Sequence, residues 1–456
     1  MTEKVLIFPQ RIDAGLNRLQ KMILFGIALT LAHPWFMTIG FVPTVLPVIV
    51  EARGIVLKLP DYGLLLLSVV TVLRLLFAPA YVQALAHTGV RLFRARLILP
   101  WVALALWAAV SLLWADEPVL TIYHAAHLAL ALLAALVVAE NTHHASDNGL
   151  LSSLVIGFVV GGAAQGLLAC LQALNGGAVG LHWLGELRYQ HPRAYGLTIH
   201  HNTLSSYLVM AWFMTILWLR LDKRTGRWTI LKCTALALIG LGLFAALSRM
   251  ALLATALGTG GVVLMLPQSR QFYRQRTVQR IALAIALILL VIFGDDLLRR
   301  FPSFQELVQR LTFASSGAVR VIEDAPLIGV GAGNLMLHVD ALASSGQVFI
   351  LDNATDGWLQ PVHNTYLVVL AELGPPGLLL FGLSLGAVFL RLSPRFGQPA
   401  LILGWGVVAL CVIMLTEFHF WVAVNWRAGL LLMVGLWWGY FLRGTQEAVH
   451  FAATHK

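Results

Sequence analysis

The sequence is short of charge. Only 11% of its 456 residues are Asp, Glu, Lys or Arg, where soluble chains carry about 25%. That deficit excludes an ordinary soluble enzyme. Cysteine is scarce as well. Cys170, Cys233 and Cys411 all lie in apolar runs, so they supply neither a disulfide framework nor a clustered metal site. Acid is the rarer sign, with 21 Asp and Glu against 31 Lys and Arg and a net charge of +10. In a chain this apolar, basic loops read as topology signals and anionic-lipid contacts, not as a nucleic-acid surface. Internal repeats and low-complexity tracts are absent.

What abounds is hydrophobic residue, 59% of the chain. It comes in runs of about 20, the length that crosses a hydrocarbon core of about 30 Å. This pattern predicts an all-α integral membrane protein, a single polytopic domain over residues 1–456. Its twelve expected spans are 22–41, 61–86, 97–115, 119–139, 150–174, 202–220, 229–247, 250–267, 279–293, 364–391, 399–421 and 427–443. The stretch 42–60 is ambiguous, because Pro43 and Pro47 break a helix or turn the chain back. The polar, basic first 21 residues carry no small-residue cleavage site, so the first span reads as retained.

Basic loops orient the chain. Arg220, Lys223, Arg224, Arg227 and Lys232 fall on one side, with Arg270, Arg274, Arg276 and Arg280, and with Arg91, Arg94 and Arg96. By the positive-inside rule that side is cytoplasmic, and both termini lie there. The cations left outside are Arg53, Lys58, Arg188, Arg193, Arg249, Arg299, Arg300, Arg310, Arg320 and Arg427. Arginine there works against the topology signal, which points to a bound anion. Two external loops stand out. Loop 294–362 is the longest and reads as a small helical cap, with an amphipathic helix over 303–313. Loop 175–201 is the second. Long ordered loops are usually functional.

The chemistry-bearing residues cluster on that outer side. His363 and Asn364 open the stretch HNTYLVVLAELGPPG. A neutral imidazole is a general base near pH 7; the plainer reading is a histidine at a helix start with Asn as its cap. Glu372 lies on the opposite face of a continuous helix and deeper, so it cannot orient the His363 ring. Gly374-Pro375-Pro376-Gly377 should kink that helix. Arg249 sits in LSRMA, at a short outward turn; its plainer role is snorkelling. Arg193 lies in HPRAYGLTIHHN, just before His200, His201 and Asn202. Arg320 has Glu323 and Asp324 at helical spacing. GVGAGN (329–334) lacks the ending of a phosphate loop and reads as a tight structural turn. The histidine pairs His124/His127, His143-His144 and His200-His201 lack a carboxylate at zinc-site spacing. Neither Asp295-Asp296 nor Asp352/Asp356 makes a metal-binding pair, so the site reads as metal-free and without a cofactor.

His363-Asn364, nine residues, Gly374, two residues and Gly377 resemble the signature of the O-antigen ligases. That family shares a superfamily with O-antigen polymerases and some protein O-oligosaccharyltransferases. The likeness extends to RAYGLTIHHN (193–202), LSR (247–249) and Arg320 followed by PLIGVGAGN (326–334). The motifs are individually loose; their shared order on one face is specific. The resemblance implies about twelve transmembrane helices with a large periplasmic loop, a fold similar to GT-C-like glycosyltransferases that use lipid-linked donors. It implies a Gram-negative inner-membrane enzyme with a periplasmic active site and no metal. A glycan on undecaprenyl diphosphate would pass to a sugar hydroxyl of lipid A core. His363 would take the hydroxyl proton, and direct displacement would invert the anomeric centre. Arg249 and Arg320, then Arg193, would hold the diphosphate as planar forks. Asn364, Arg53, Lys58 and His338 form a second tier of substrate contacts. The near alternative is a polymerase or a protein-glycosylating relative; the distant one is a twelve-span transporter.

Overall fold

A computed structural model describes residues 2–44, 53–144, 149–184, 186, 193–198, 200–266, 317–344 and 361–454. The expected span 279–293, the helix over 303–313 and the cations Arg188, Arg270, Arg274, Arg276, Arg280, Arg299, Arg300 and Arg310 lie outside these residues.

The described chain is overwhelmingly helical. Helix α1 (Thr2–Thr30) is followed by strands β1 (Phe36–Phe41) and β2 (Gly54–Lys58). Helices α2 (Leu59–Phe77), α3 (Pro79–Arg94), α4 (Leu99–Val110), α5 (Pro118–His144) and α6 (Gly149–Asn175) come next. Then come α7 (His201–Leu221), α8 (Arg227–Ala245), α9 (Arg249–Met265), α10 (Leu335–Ser344) and α11 (Thr365–Phe389). The last three are α12 (Gln398–Ile413), α13 (His419–Val422) and α14 (Val424–Thr454).

Several boundaries differ from the hydropathy reading. The first helix ends at Thr30, before Pro34, so the expected span 22–41 is cut short. Residues 36–41, expected as the end of that span, and 54–58 of the ambiguous stretch instead form two antiparallel strands pairing Phe36 with Lys58 and Phe41 with Gly54. The alternating, β-branched and aromatic FMTIGF and GIVLK suit a pleat better than a helix. The apolar run 61–86 is two helices. Pro79 removes an amide and breaks the ladder at Ala78, which sits at φ −130° and ψ 82°. Helix α3 is amphipathic, burying Tyr81, Leu85, Thr88 and Leu92, and it meets the α4 segment at 94°.

Among the described residues, six helices are long and apolar enough to cross a membrane, or seven if the bent α3–α4 pair is one span. Helices α9 and α12 are apolar but shorter. The length and apolarity of these helices make the chain a multi-pass membrane protein.

Small residues bring the helices together. Gly157 of α6 meets the Phe25 carbonyl of α1, and Gly166 of α6 meets the Leu238 carbonyl of α8. Close approach of this kind holds helices together where lipid offers no hydrophobic drive.

Contacts sort the connections into two ends, as strict alternation of spans demands. At one end Asn334 accepts from the Glu117 amide at 2.8 Å, and the Ala194 amide donates to Ala245 at 3.2 Å. At the other, Arg391 donates to the Ala95 carbonyl at 2.8 Å and Arg91 meets His143 at 3.2 Å. Every expected site residue among the described ones lies at the first end.

Candidate active site

The site begins with how α11 starts. Asn364 caps it: its side-chain oxygen accepts from the Leu367 amide at 3.0 Å, satisfying one of the orphan donors of the first turn. The other half of the amide donates to Leu415 at 3.2 Å. The Thr365 amide donates to Met414 at 2.9 Å, and the Thr365 hydroxyl donates to the Glu417 carbonyl. The turn after α12 is thereby clasped to the start of α11. His363, one residue before the cap, is exposed and stands edge-on to Phe418 at 5.1 Å.

This clasp brings in a residue that sequence reasoning missed. Glu417 is buried, with its carboxyl 3.4 Å from His419 Nδ1. His419 Nε2 in turn meets the Ser206 hydroxyl of α7 at 2.9 Å. Burial pushes the Glu417 carboxyl up to about 7; the His363 charge and a hydrogen bond from Asn202 pull the other way. His419, also buried, is held below the ordinary imidazole range, and the Lys58 charge adds to that. Four stretches far apart in sequence therefore converge: Lys58 of β2, Asn202 and Ser206 of α7, His363 of the α11 start, and Glu417 with His419. The only sequence signal was two ionisable residues, Glu417 and His419, set among aromatics at the end of an apolar run.

Below the site the second motif locks onto the first. Pro375 and Pro376 have no amide to offer the carbonyls four residues back. Those carbonyls, Ala371 and Glu372, accept instead from Val330 at 3.0 Å and Gly331 at 2.8 Å. Leu373 accepts from Trp107 Nε1 at 2.8 Å. Gly374 takes φ 65° and ψ −173°, and a Cβ there would sit 2.5 Å from the Leu327 carbonyl. The GVGAGN stretch is thus a tight turn, with Gly329, Gly331 and Gly333 all at positive φ. Its task is to cover the broken backbone of α11. Glu372 accepts from the Gly333 amide at 2.8 Å and from Trp421 Nε1 at 2.7 Å. Glu372 thus pairs across to other segments. Arg427, fully buried nearby, donates to His124 Nδ1 at 2.9 Å and to the His124 and Trp421 carbonyls.

The arginines divide. Arg193 reaches His201 Nε2 at 2.6 Å, at the N-terminus of α7, one residue from Asn202. Its segment is tied through Ala194 to Ala245, just before the turn that carries Arg249. In that turn Leu247 adopts φ 51° and Ser248, in extended backbone and without a side-chain cap bond, precedes α9, whose first residue is Arg249. Arg193 and the Arg249 turn therefore share one neighbourhood. Arg320 differs: it is exposed and makes its ion pairs within its own helix, 3.1 Å to Glu323 and 3.8 Å to Asp324. The described contacts do not bring it to His363. His338 pairs with Asp116 at 2.9 Å, and Arg53 donates to the Thr44 hydroxyl at 3.1 Å. Among the described residues, no three His, Cys, Asp or Glu side chains gather in a way that could hold a metal ion.

Fold and geometry together define a multi-pass helical membrane protein with a candidate histidine–carboxyl cluster at one end. Residues 234–382 match the family described as O-antigen ligase. The match spans the Arg249 turn, Arg320, the GVGAGN turn and the start and kink of α11, and it bears out the resemblance read from the motifs. It supports an activity of the O-antigen ligase or polymerase type. No curated protein matches the chain.

Proposed function

We propose that the chain transfers an O-antigen glycan from undecaprenyl diphosphate to a sugar hydroxyl of lipid A core. It would do so at the periplasmic face of a Gram-negative inner membrane, with both termini cytoplasmic. The observation that carries this reading is the exposed His363, fixed between the Asn364 cap and the Glu417 turn, with Lys58, Arg193 and the Arg249 turn at the same end of the bundle, where positive-inside topology does not explain them. His363 accepts the proton of the attacking hydroxyl. The oxygen attacks the anomeric carbon, and the bond to the diphosphate breaks with inversion. Arg193 and Arg249, which share a neighbourhood, bind the diphosphate and stabilise its growing charge. Arg320 joins them only by leaving its own acidic partners, so its place as a first-choice ligand weakens. The Lys58 charge acts on His419 of the same cluster. Asn364 positions His363 through its cap, and Arg53 and His338 remain outer contacts. No cofactor is required, because arginine supplies the charge stabilisation that a divalent cation would otherwise give.

A polymerase, or a protein-glycosylating relative, would run the same step on a different acceptor. Purified chain in lipid, given lipid-linked glycan and either lipid A core, a second lipid-linked glycan or a protein acceptor, separates them. Transfer to the core alone is expected; transfer only to another acceptor overturns the ligase assignment.

A further inference from the structure

We propose that Glu417 is a positioning residue for His363: its carboxylate aims the imidazole and stabilises the cation formed when His363 takes the acceptor proton. The inference rests on the glycosyl-transfer reading above and deepens it.

The geometry leaves Glu417 little freedom. Its turn is held to the α11 start by the Thr365 amide on Met414 at 2.9 Å and the Asn364 amide on Leu415 at 3.2 Å. The Thr365 hydroxyl closes the clasp on Glu417 itself. Backbone and carboxyl are thus fixed relative to His363. A buried carboxyl is costly unless polar partners surround it. Two groups meet it: His419 Nδ1 at 3.4 Å from α13 and the Asn202 amide from α7; His363, whose ring stands 5.1 Å from that of Phe418, the next residue, acts on it through its charge. His419 is itself anchored to Ser206 at 2.9 Å. The Lys58 charge, from β2, also acts on His419. The exposed member of the cluster is His363, so a substrate meets the imidazole and not the carboxyl.

The balance of the step is simple. The acceptor O–H gives its proton to a ring nitrogen of His363 while its oxygen bonds the anomeric carbon. The anomeric C–O bond breaks, and its electron pair leaves on the diphosphate. Glu417 takes no proton; it must already be an anion to face the new cation. Burial sets its charging near pH 7, so the carboxylate form grows as pH rises through that range. A carboxyl kept only as a structural anchor would affect stability and leave this profile unchanged.

The test uses the full chain in lipid, with an undecaprenyl-diphosphate-linked glycan and lipid A core. Glu417→Gln should fold with a melting temperature near wild type and lower kcat about 100-fold, the scale of a lost charge-stabilising group. KM for the donor should stay within about two-fold, since the carboxyl does not touch it. Wild type should show an acid limb of kcat, where His363 becomes protonated; in Glu417→Gln, without the carboxylate that favours the imidazolium, its midpoint should move to lower pH, and Glu417→Asp should fall between the two in midpoint and in rate. Glu417→Gln at wild-type kcat beside an inactive His363→Ala overturns the proposal alone. If Glu417→Gln does not fold, Glu417→Asp decides: wild-type kcat and an unmoved acid limb in that variant, beside an inactive His363→Ala, overturn it. A wild-type chain without transfer, or His363→Ala with normal transfer, overturns the glycosyl-transfer reading and this proposal with it.

Discussion

At His363 the chemistry depends on backbone already spoken for. The ring projects from a residue followed by a capped helix and a clasped turn, so its direction is set before substrate arrives. Removing the cap tests this. Asn364→Ala loses the bond to Leu367 and the tie to Leu415, and should cost about 1 kcal/mol. Its melting temperature should drop, and kcat should fall more than KM rises; unchanged kcat would mean that the cap does not hold the base. Arginine identity is a second residue-scale question. Arg249→Lys should lose most transfer activity, because a point charge cannot reproduce a planar fork on a diphosphate. Activity within a few-fold of wild type would favour the snorkelling role instead.

At the scale of elements, the decisive feature is the repair of the broken α11 by the glycine-rich turn. Two prolines free two carbonyls, and Val330 and Gly331 satisfy them. Gly329 makes this possible: it sits at φ 69°, and a Cβ there would lie 2.5 Å from the Glu372 carbonyl. Gly329→Ala should cost at least about 1–2 kcal/mol from the backbone conformation alone, and more from the clash. The variant should insert but lose transfer, as read by melting and by glycan assay together; full activity would show that the turn does not shape the site. Much here was readable in advance. The kink at Gly374-Pro375-Pro376 follows from missing amides, and the turn at 329–334 from its glycines. Their mutual contact was not, because nothing local says which amides a freed carbonyl will find. The hairpin at Phe36–Lys58 was hidden for a related reason. Its strands are short and apolar, and such runs pass for helix on hydropathy.

At the scale of the whole molecule, hydropathy told the class of protein but not where its helices break. Residues 61–86 look like one span on composition, yet a single proline makes two helices of them. Glu417 was the harder miss. It lies 54 residues from His363, and only tertiary packing joins α7, α11 and the turn after α12. Sidedness is the property that the two ends leave to experiment. With Cys170, Cys233 and Cys411 replaced by serine, a cysteine at His338 should react with an impermeant thiol reagent in intact cells. A cysteine at Arg224 should react only after permeabilisation. The reverse pattern would turn the orientation over and move the site to the cytoplasm.

The central claim, that His363 is the base of a lipid-linked glycosyl transfer, is tested most directly by one reconstitution. Wild-type chain and His363→Ala, matched for folding and insertion, are given undecaprenyl-diphosphate-linked glycan and lipid A core. Product is then read as glycan covalently joined to the core. The account predicts transfer by wild type and none above background by His363→Ala; near-normal product from the alanine variant would contradict it.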